Sequence, residues 1–187
     1  MGGTFDPIHI GHLVCAEEAR HQFRLDEVIF VPAGDPWQKE GVSDAEDRYL
    51  LTMLATASHP SFSVSRIEID RGGPSYTLDT LEEFRSFYHG AELFFITGAD
   101  AVAQILSWKD SEAVLNAAHF IAATRPGYHV GGIADLTDRV SVIEIPALAI
   151  SSSEIRARVA SGRPVRYLLP TEVEQFIATR RLYSPRG

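Results

Sequence analysis

The sequence predicts a doubly wound α/β fold, a parallel sheet with helices on both faces. Three observations predict it. Short continuous apolar runs, such as Val-Ile-Phe-Val at 28–31 and Leu-Phe-Phe-Ile at 93–96, suit strands buried on both sides. Stretches with helical spacing separate these runs, which is the alternation of a βα-repeating sheet. Most of the runs end in Gly, Pro or another turn signal, and sheets of this kind bind ligands beyond the carboxyl ends of their strands.

The chain opens on Met-Gly-Gly-Thr-Phe-Asp-Pro-Ile-His-Ile-Gly-His. Gly2 and Gly3 let the backbone pass close to a bulky ligand, and Pro7 stiffens the turn. Leu13–Arg24 reads as a helix, which places its N-terminus beside the glycines and puts His9 and His12, three residues apart, on one face. Unpaired N–H groups and the helix dipole at such a junction favour phosphate, and the two histidines add donors. The stretch therefore reads as a cradle for a nucleoside triphosphate.

Glu27–Pro32 is the next strand and Ala33–Val42 a loop. Ser43-Asp44-Ala45-Glu46 fits a capping box, followed by a helix whose apolar side is Tyr49, Leu50, Met53, Leu54 and Ala57. Phe62–Ile69 alternates imperfectly and is expected as a strand. Gly72-Gly73-Pro74 breaks the chain, and Leu78–Tyr88 forms a helix on Leu81, Phe84 and Phe87. Glu92–Thr97, His119–Thr124 and Val140–Ile145 are strands, with two short helices between Asp100 and Ala117 and a surface loop at Tyr128–Arg139. Helices at Ser152–Ala160 and Thr171–Thr179 close the chain.

A length of 187 residues suits one domain, 1–187, with 151–187 as its helical C-terminal part. No apolar run approaches a membrane span and no signal segment opens the chain, so a cytoplasmic home without membrane partners is expected. The lone Cys15 forms no internal disulfide and reads as a small buried hydrophobe. A net charge of −8 disfavours a nucleic-acid partner. Residues 151–187 nevertheless carry seven Arg against three Glu, a net +4 that leaves −12 elsewhere. Some of those arginines are candidates to face phosphates.

Other motifs fall in the loops after the strands. Ser75-Tyr76-Thr77 starts a helix, with Thr77 as N-cap and its amides open to a carboxylate. Asp100 suits a helix cap or a pair of ribose hydroxyls. Trp108 suits a core position or a ring platform. Lys39 ends a loop beyond a strand and suits a solvated surface, and Arg125-Pro126-Gly127 suits a turn. Ile150-Ser151-Ser152-Ser153, with Arg156 one turn on, exceeds what a cap requires and makes a second phosphate grip.

GGTFDPIHIGH, with its HxGH core, resembles the nucleotidylyltransferase superfamily, and ISSSEIR fits the same signature. SYTLDTL, GADAVAQILSW and YLLPTEVEQFI narrow the resemblance to the bacterial nicotinate mononucleotide adenylyltransferases, over Gly2 to about Ile177. The resemblance implies a Rossmann-like nucleotidylyltransferase fold. It implies adenylyl transfer from ATP to nicotinate mononucleotide, giving the deamido-dinucleotide of NAD biosynthesis and pyrophosphate. It implies His9, His12 and Arg156 as catalytic. Gly3, Thr4, Phe5, Asp100, Ser152 and Arg156 would bind ATP, and Lys39, Thr77, Trp108 and Arg125 the mononucleotide. Mg²⁺ would ride on the ATP phosphates, with no metal site in the protein, and a homo-oligomer is left open. Other acceptors, such as phosphopantetheine or nicotinamide mononucleotide, are the rival reading, and a non-catalytic nucleotide-binding regulator is a further one.

Two departures from the family stand out. Where members carry PPHK, this chain has Pro36-Trp37-Gln38-Lys39. Members also have an apolar strand before GGTFDP, whereas this chain starts at Met1, so either the true start lies upstream or the first strand is truncated, which would leave the central slot of the sheet empty.

Overall fold

The computed structural model describes residues 1–36, 39–103, 110–124, 138–146 and 148–185, with Asp100 and Ala103 described for their backbone alone. The order of elements is β1 (Gly2–Gly3), α1 (Ile10–Phe23), β2 (Val28–Pro32), α2 (Ala45–Thr56), β3 (Phe62–Val64), α3 (Ile67–Arg71) and α4 (Thr77–Phe87). Then come β4 (Phe94–Gly98), α5 (Ala99–Ala103), α6 (Ser111–Ala117), β5 (His119–Thr124), β6 (Val140–Glu144), α7 (Ser152–Ala160) and α8 (Thr171–Arg180).

Every strand pairing is parallel, in two ladders ordered β3-β2-β1 and β4-β5-β6. Gly2 brings the ladders together, because a Cβ there would stand 3.3 Å from the Phe95 ring of β4. The combined order 3-2-1-4-5-6 is that of a Rossmann-type sheet, and its switch point lies between β1 and β4. The slot that a truncated first strand would leave empty holds the two residues of β1, in register Gly2↔Val31 and Gly3↔Pro32. The Val31 and Ala33 amides donate to the Met1 and Gly3 carbonyls at 2.9 Å each.

One core joins the ladders to the C-terminal helices. Phe30 and Ile121 from the strands meet Ile8, Ile155, Val173 and Ile177, all buried. Cys15 belongs to this core, and burial pushes its thiol up to about 11, which suits the role of a small hydrophobe.

Four local expectations are corrected. The buried side of α2 is Arg48, Leu51, Thr52, Ala55 and Thr56, while Leu50 and Met53 are 36% and 41% exposed. The two threonines tolerate burial because each hydroxyl donates to the carbonyl four residues back, at 2.8 and 2.9 Å. Asp44, not Ser43, is the N-cap of α2, accepting from the Glu46 amide at 2.8 Å, and Glu46 turns away to pair with Arg66. The expected strand Phe62–Ile69 ends at Val64 and gives way to α3, whose Glu68 is buried. In α4, Leu81 is buried as expected, together with Thr80, whereas Phe87 is 70% exposed.

Candidate active site

Beyond the carboxyl ends of β1 and β4 lies a cleft of about 820 Å³, lined by Gly3, Thr4, His9, His12, Ser152 and Arg156 among others. The turn from β1 into α1 forms its floor. Phe5 takes a left-handed backbone, φ 49°, which turns its ring inward to meet Phe30 at 5.9 Å and the edge of His12 at 5.2 Å. The ring is buried, so Phe5 serves the cleft through its backbone. Gly3 must lack a side chain because a Cβ would stand 2.7 Å from this fixed ring.

His9 is the N-cap of α1 and His12 its third residue, and each side chain meets the other's backbone. Their rings stack at 3.7 Å. The His12 Nδ1 accepts the His9 amide at 3.1 Å, so the neutral ring carries its proton on Nε2 and has a donor left for a ligand. Burial, then the charges of His9 and Lys39, lower the His12 pKa to about 3, which keeps that neutral form at physiological pH.

Arg156, on α7, donates through Nη1 to the Asp6 carbonyl at 2.6 Å and remains partly exposed. Lys39 stands nearby. Burial first, then the positive charge of Arg156, lowers its pKa, so the ammonium lacks enough compensating negative charge and suits an anion. Ser151 is the N-cap of α7, its hydroxyl accepting the Glu154 amide at 3.2 Å. The Ser152 hydroxyl donates to the Pro7 carbonyl at 2.9 Å, so the expected phosphate ligand also fastens the first loop.

A second cavity of about 180 Å³ adjoins, lined by Ser75, Tyr76, Thr77, Phe95 and Asp110. Gly2, Gly3, Thr4 and Lys39 line both spaces, so the glycine turn and one cation stand where they meet. Thr77 is the first residue of α4 rather than its N-cap, which is Tyr76. Gly98 closes β4 at the large cleft. The side chain of Asp100, and Trp37, Gln38, Trp108, Lys109 and Arg125, lie outside the described residues.

A family model for cytidylyltransferase-like proteins matches residues 1–158. A "Probable nicotinate-nucleotide adenylyltransferase" of Salinispora arenicola is 60% identical over 98% of this chain and 100% of its own length. A protein of the same name from Streptomyces coelicolor is 60% identical over 98% of each chain. The chain belongs to the nicotinate-nucleotide adenylyltransferase branch of the cytidylyltransferase-like family. A Plasmodium falciparum nicotinic acid mononucleotide adenylyltransferase, solved in complex with NaAD, has the same fold at 19% identity, with TM-score 0.81 over 97% of this chain and 94% of that one.

Three residues that shape this family member's site were not read from the sequence. Arg48, 1% exposed, sends Nε to the Ser43 carbonyl at 2.9 Å, Nη1 to Thr4 at 2.9 Å and Nη2 to Gly34 at 3.1 Å. It thereby clips the post-β1 and post-β2 loops to α2. Its spacing from Leu51, Thr52 and Ala55, in line with the buried helix face, was the available signal. Gly34 is the second, since a Cβ there would meet the Glu68 carbonyl oxygen at 2.4 Å while its amide donates to the Ser75 hydroxyl at 3.0 Å. Tyr183 is the third. Its hydroxyl donates to the buried Asp6 carboxylate across 177 residues of chain, at 2.8 Å, and no local pattern announces it.

Proposed function

We propose that this cleft transfers the adenylyl group of ATP to nicotinate mononucleotide, giving nicotinate adenine dinucleotide and pyrophosphate. The observation that carries the reading is the pair of adjoining cavities that share the Gly2–Thr4 turn and Lys39. ATP takes the large cleft, with Gly3, Thr4 and Phe5 contributing backbone groups. Arg156 and the N-terminus of α7 hold the triphosphate. The mononucleotide takes the small cavity, its ring near Thr77 and its phosphate at Lys39. Trp108, Arg125 and Asp100 are assigned to the ring, the mononucleotide and the ATP site on family resemblance.

No protein nucleophile is required. The acceptor phosphate is already an anion and attacks the α-phosphorus in line as pyrophosphate departs, so the protein's task is positioning and charge stabilisation. The His12 Nε2–H, held by the Nδ1 contact, points a neutral donor at the phosphates. His9, stacked on it, supports the same face. Mg²⁺ enters as the counter-ion of ATP. It rides on the phosphate oxygens, the usual arrangement for Mg²⁺, which keeps several waters and binds through substrate phosphates.

Pyrophosphate release with ATP and each of three acceptors tests the reading. The nicotinate mononucleotide should exceed its nicotinamide counterpart about 10²-fold in kcat/KM, because amide donors at the start of α4 accept a carboxylate and oppose an NH₂ group. Phosphopantetheine should give no product. Comparable rates with both mononucleotides would overturn the carboxylate pocket, and no release with any acceptor would overturn adenylyl transfer.

A further inference from the structure

We propose that Tyr183 is a positioning residue for ATP, acting through Asp6 to keep Arg156 free for the triphosphate. The inference rests on the assignment of Arg156 to ATP made above. Asp6 is 4% exposed and stands among cations. Its Oδ2 lies 3.9 Å from Arg156 Nη1, beyond hydrogen-bond reach, and its charge also acts on Arg48 and Lys39. A buried carboxylate at that distance competes with a phosphate for the guanidinium, unless other donors hold it.

Two donors do so. The Ser43 amide donates to Oδ2 at 3.3 Å, and the Tyr183 hydroxyl donates to Oδ1 at 2.8 Å. With the carboxylate held by these donors, the hydrogen bond from Arg156 to Asp6 goes to the carbonyl, at 2.6 Å, and the carboxylate stays in a longer ion pair at 3.9 Å that a phosphate can displace. Burial, and next to it the Asp6 charge, push the Tyr183 hydroxyl up, so it remains a donor throughout the physiological range.

The turn after α8 carries Tyr183 to Asp6. After α8, Arg181 and Tyr183 both take left-handed backbones, φ 53° and 62°, and the Leu182 amide returns to the Ile177 carbonyl at 3.0 Å. Arg181 is the left-handed C-cap of α8, an ordinary helix stop, whereas Tyr183 lies beyond the cap, where a left-handed non-glycine residue is unfavourable and is held by its contacts. Without the hydroxyl, Oδ1 loses a donor in a buried place, and Arg156, whose Nη1 already stands 3.9 Å from the same carboxylate, is a cation able to replace it.

The test measures KM for ATP and for nicotinate mononucleotide, with melting temperature, in wild type, Tyr183→Phe, Arg156→Ala and the double variant. Tyr183→Phe should raise KM for ATP about tenfold relative to KM for the mononucleotide, the equivalent of one charge-assisted hydrogen bond. In the Arg156→Ala background the same change should have no further effect on that ratio. Leu182→Ala, which loosens the same turn but spares the hydroxyl, should lower the melting temperature and leave the ratio unchanged. An unchanged ratio in Tyr183→Phe, an effect that persists without Arg156, or an equal shift in Leu182→Ala would overturn the proposal. If Arg156→Ala itself leaves KM for ATP unaltered, the assignment of Arg156 fails and the role of Tyr183 falls with it. A normal Tyr183→Phe beside an impaired Arg156→Ala removes the role of Tyr183 alone.

Discussion

Replacing Arg48 with methionine tests whether one buried side chain assembles the cleft. Methionine keeps most of the volume, so the change removes hydrogen bonds rather than opening a large cavity. The carbonyls of Thr4, Gly34 and Ser43 remain and lose their donor. An unsatisfied buried carbonyl costs about 1–3 kcal/mol. The adjoining cleft admits water to part of the site, and removing the guanidinium also recovers the cost of burying its charge. These offsets leave a net loss of about 3 kcal/mol, or roughly 6–12 °C in melting temperature for a domain of this size. The catalytic effect should be larger. The Thr4 carbonyl belongs to the turn that lines both cavities, and a displacement of about 1 Å in positioning groups costs about 10²-fold in rate. Thermal melts and pyrophosphate release are the assays. Arg48→Lys should fail to rescue either property, because one ammonium cannot span three carbonyls held by a planar fork. A methionine variant with wild-type melting temperature and turnover would refute the clip.

His12→Ala should lower turnover by about 10²–10³ with the fold intact, since one preorganised donor is lost; turnover near wild type would remove His12 from the mechanism. The folded His12 pKa of about 3 lies below its unfolded 6.5, so the unfolded chain binds the extra proton first. Stability should therefore fall as pH drops from about 6.5 towards 3, by up to about 1.4 kcal/mol per pH unit from this group, and His12→Gln should flatten the slope in acid melts. Gly34→Ala places a methyl 2.4 Å from the Glu68 carbonyl oxygen and should cost about 1–3 kcal/mol, read as a lower urea midpoint. Trp108→Ala should raise KM for the mononucleotide more than for ATP, and equal shifts would separate Trp108 from the ring site.

How much of this was legible depends on how local the cause is. β5 and α7 match their expected spans residue for residue, because a strand buried on both faces and a serine-capped helix announce themselves within a few positions. His9 and His12 were readable as a pair for the same reason, a spacing of three on a helix. The stacking, and the tautomer it sets, required coordinates. On α2 the apolar stripe misled, since Leu50 and Met53 face outward while Arg48 and two threonines face in. Hydropathy treats those three as surface residues. Their burial is possible because carbonyls distant in sequence, or one turn back, accept their protons.

That difference also explains where the site's supports were hidden. The residues that meet the cleft directly lie in short strings of unusual composition, Gly-Gly-Thr-Phe at the start and Ser-Ser-Ser near the end, which chemistry makes conspicuous. The residues that hold those strings in place are ordinary in type. Arg48, Asp6 and Tyr183 have meaning only through partners 5 to 177 positions away. The first loop is fixed from three directions, by Arg48 of α2 at the Thr4 carbonyl, Ser152 of α7 at the Pro7 carbonyl, and Tyr183 at the Asp6 side chain. A turn that begins on two glycines cannot hold its own shape, because glycine loses more conformational freedom on ordering than any other residue. The fold supplies that rigidity from outside the turn, which is why the motif was visible in the sequence and its scaffold was not.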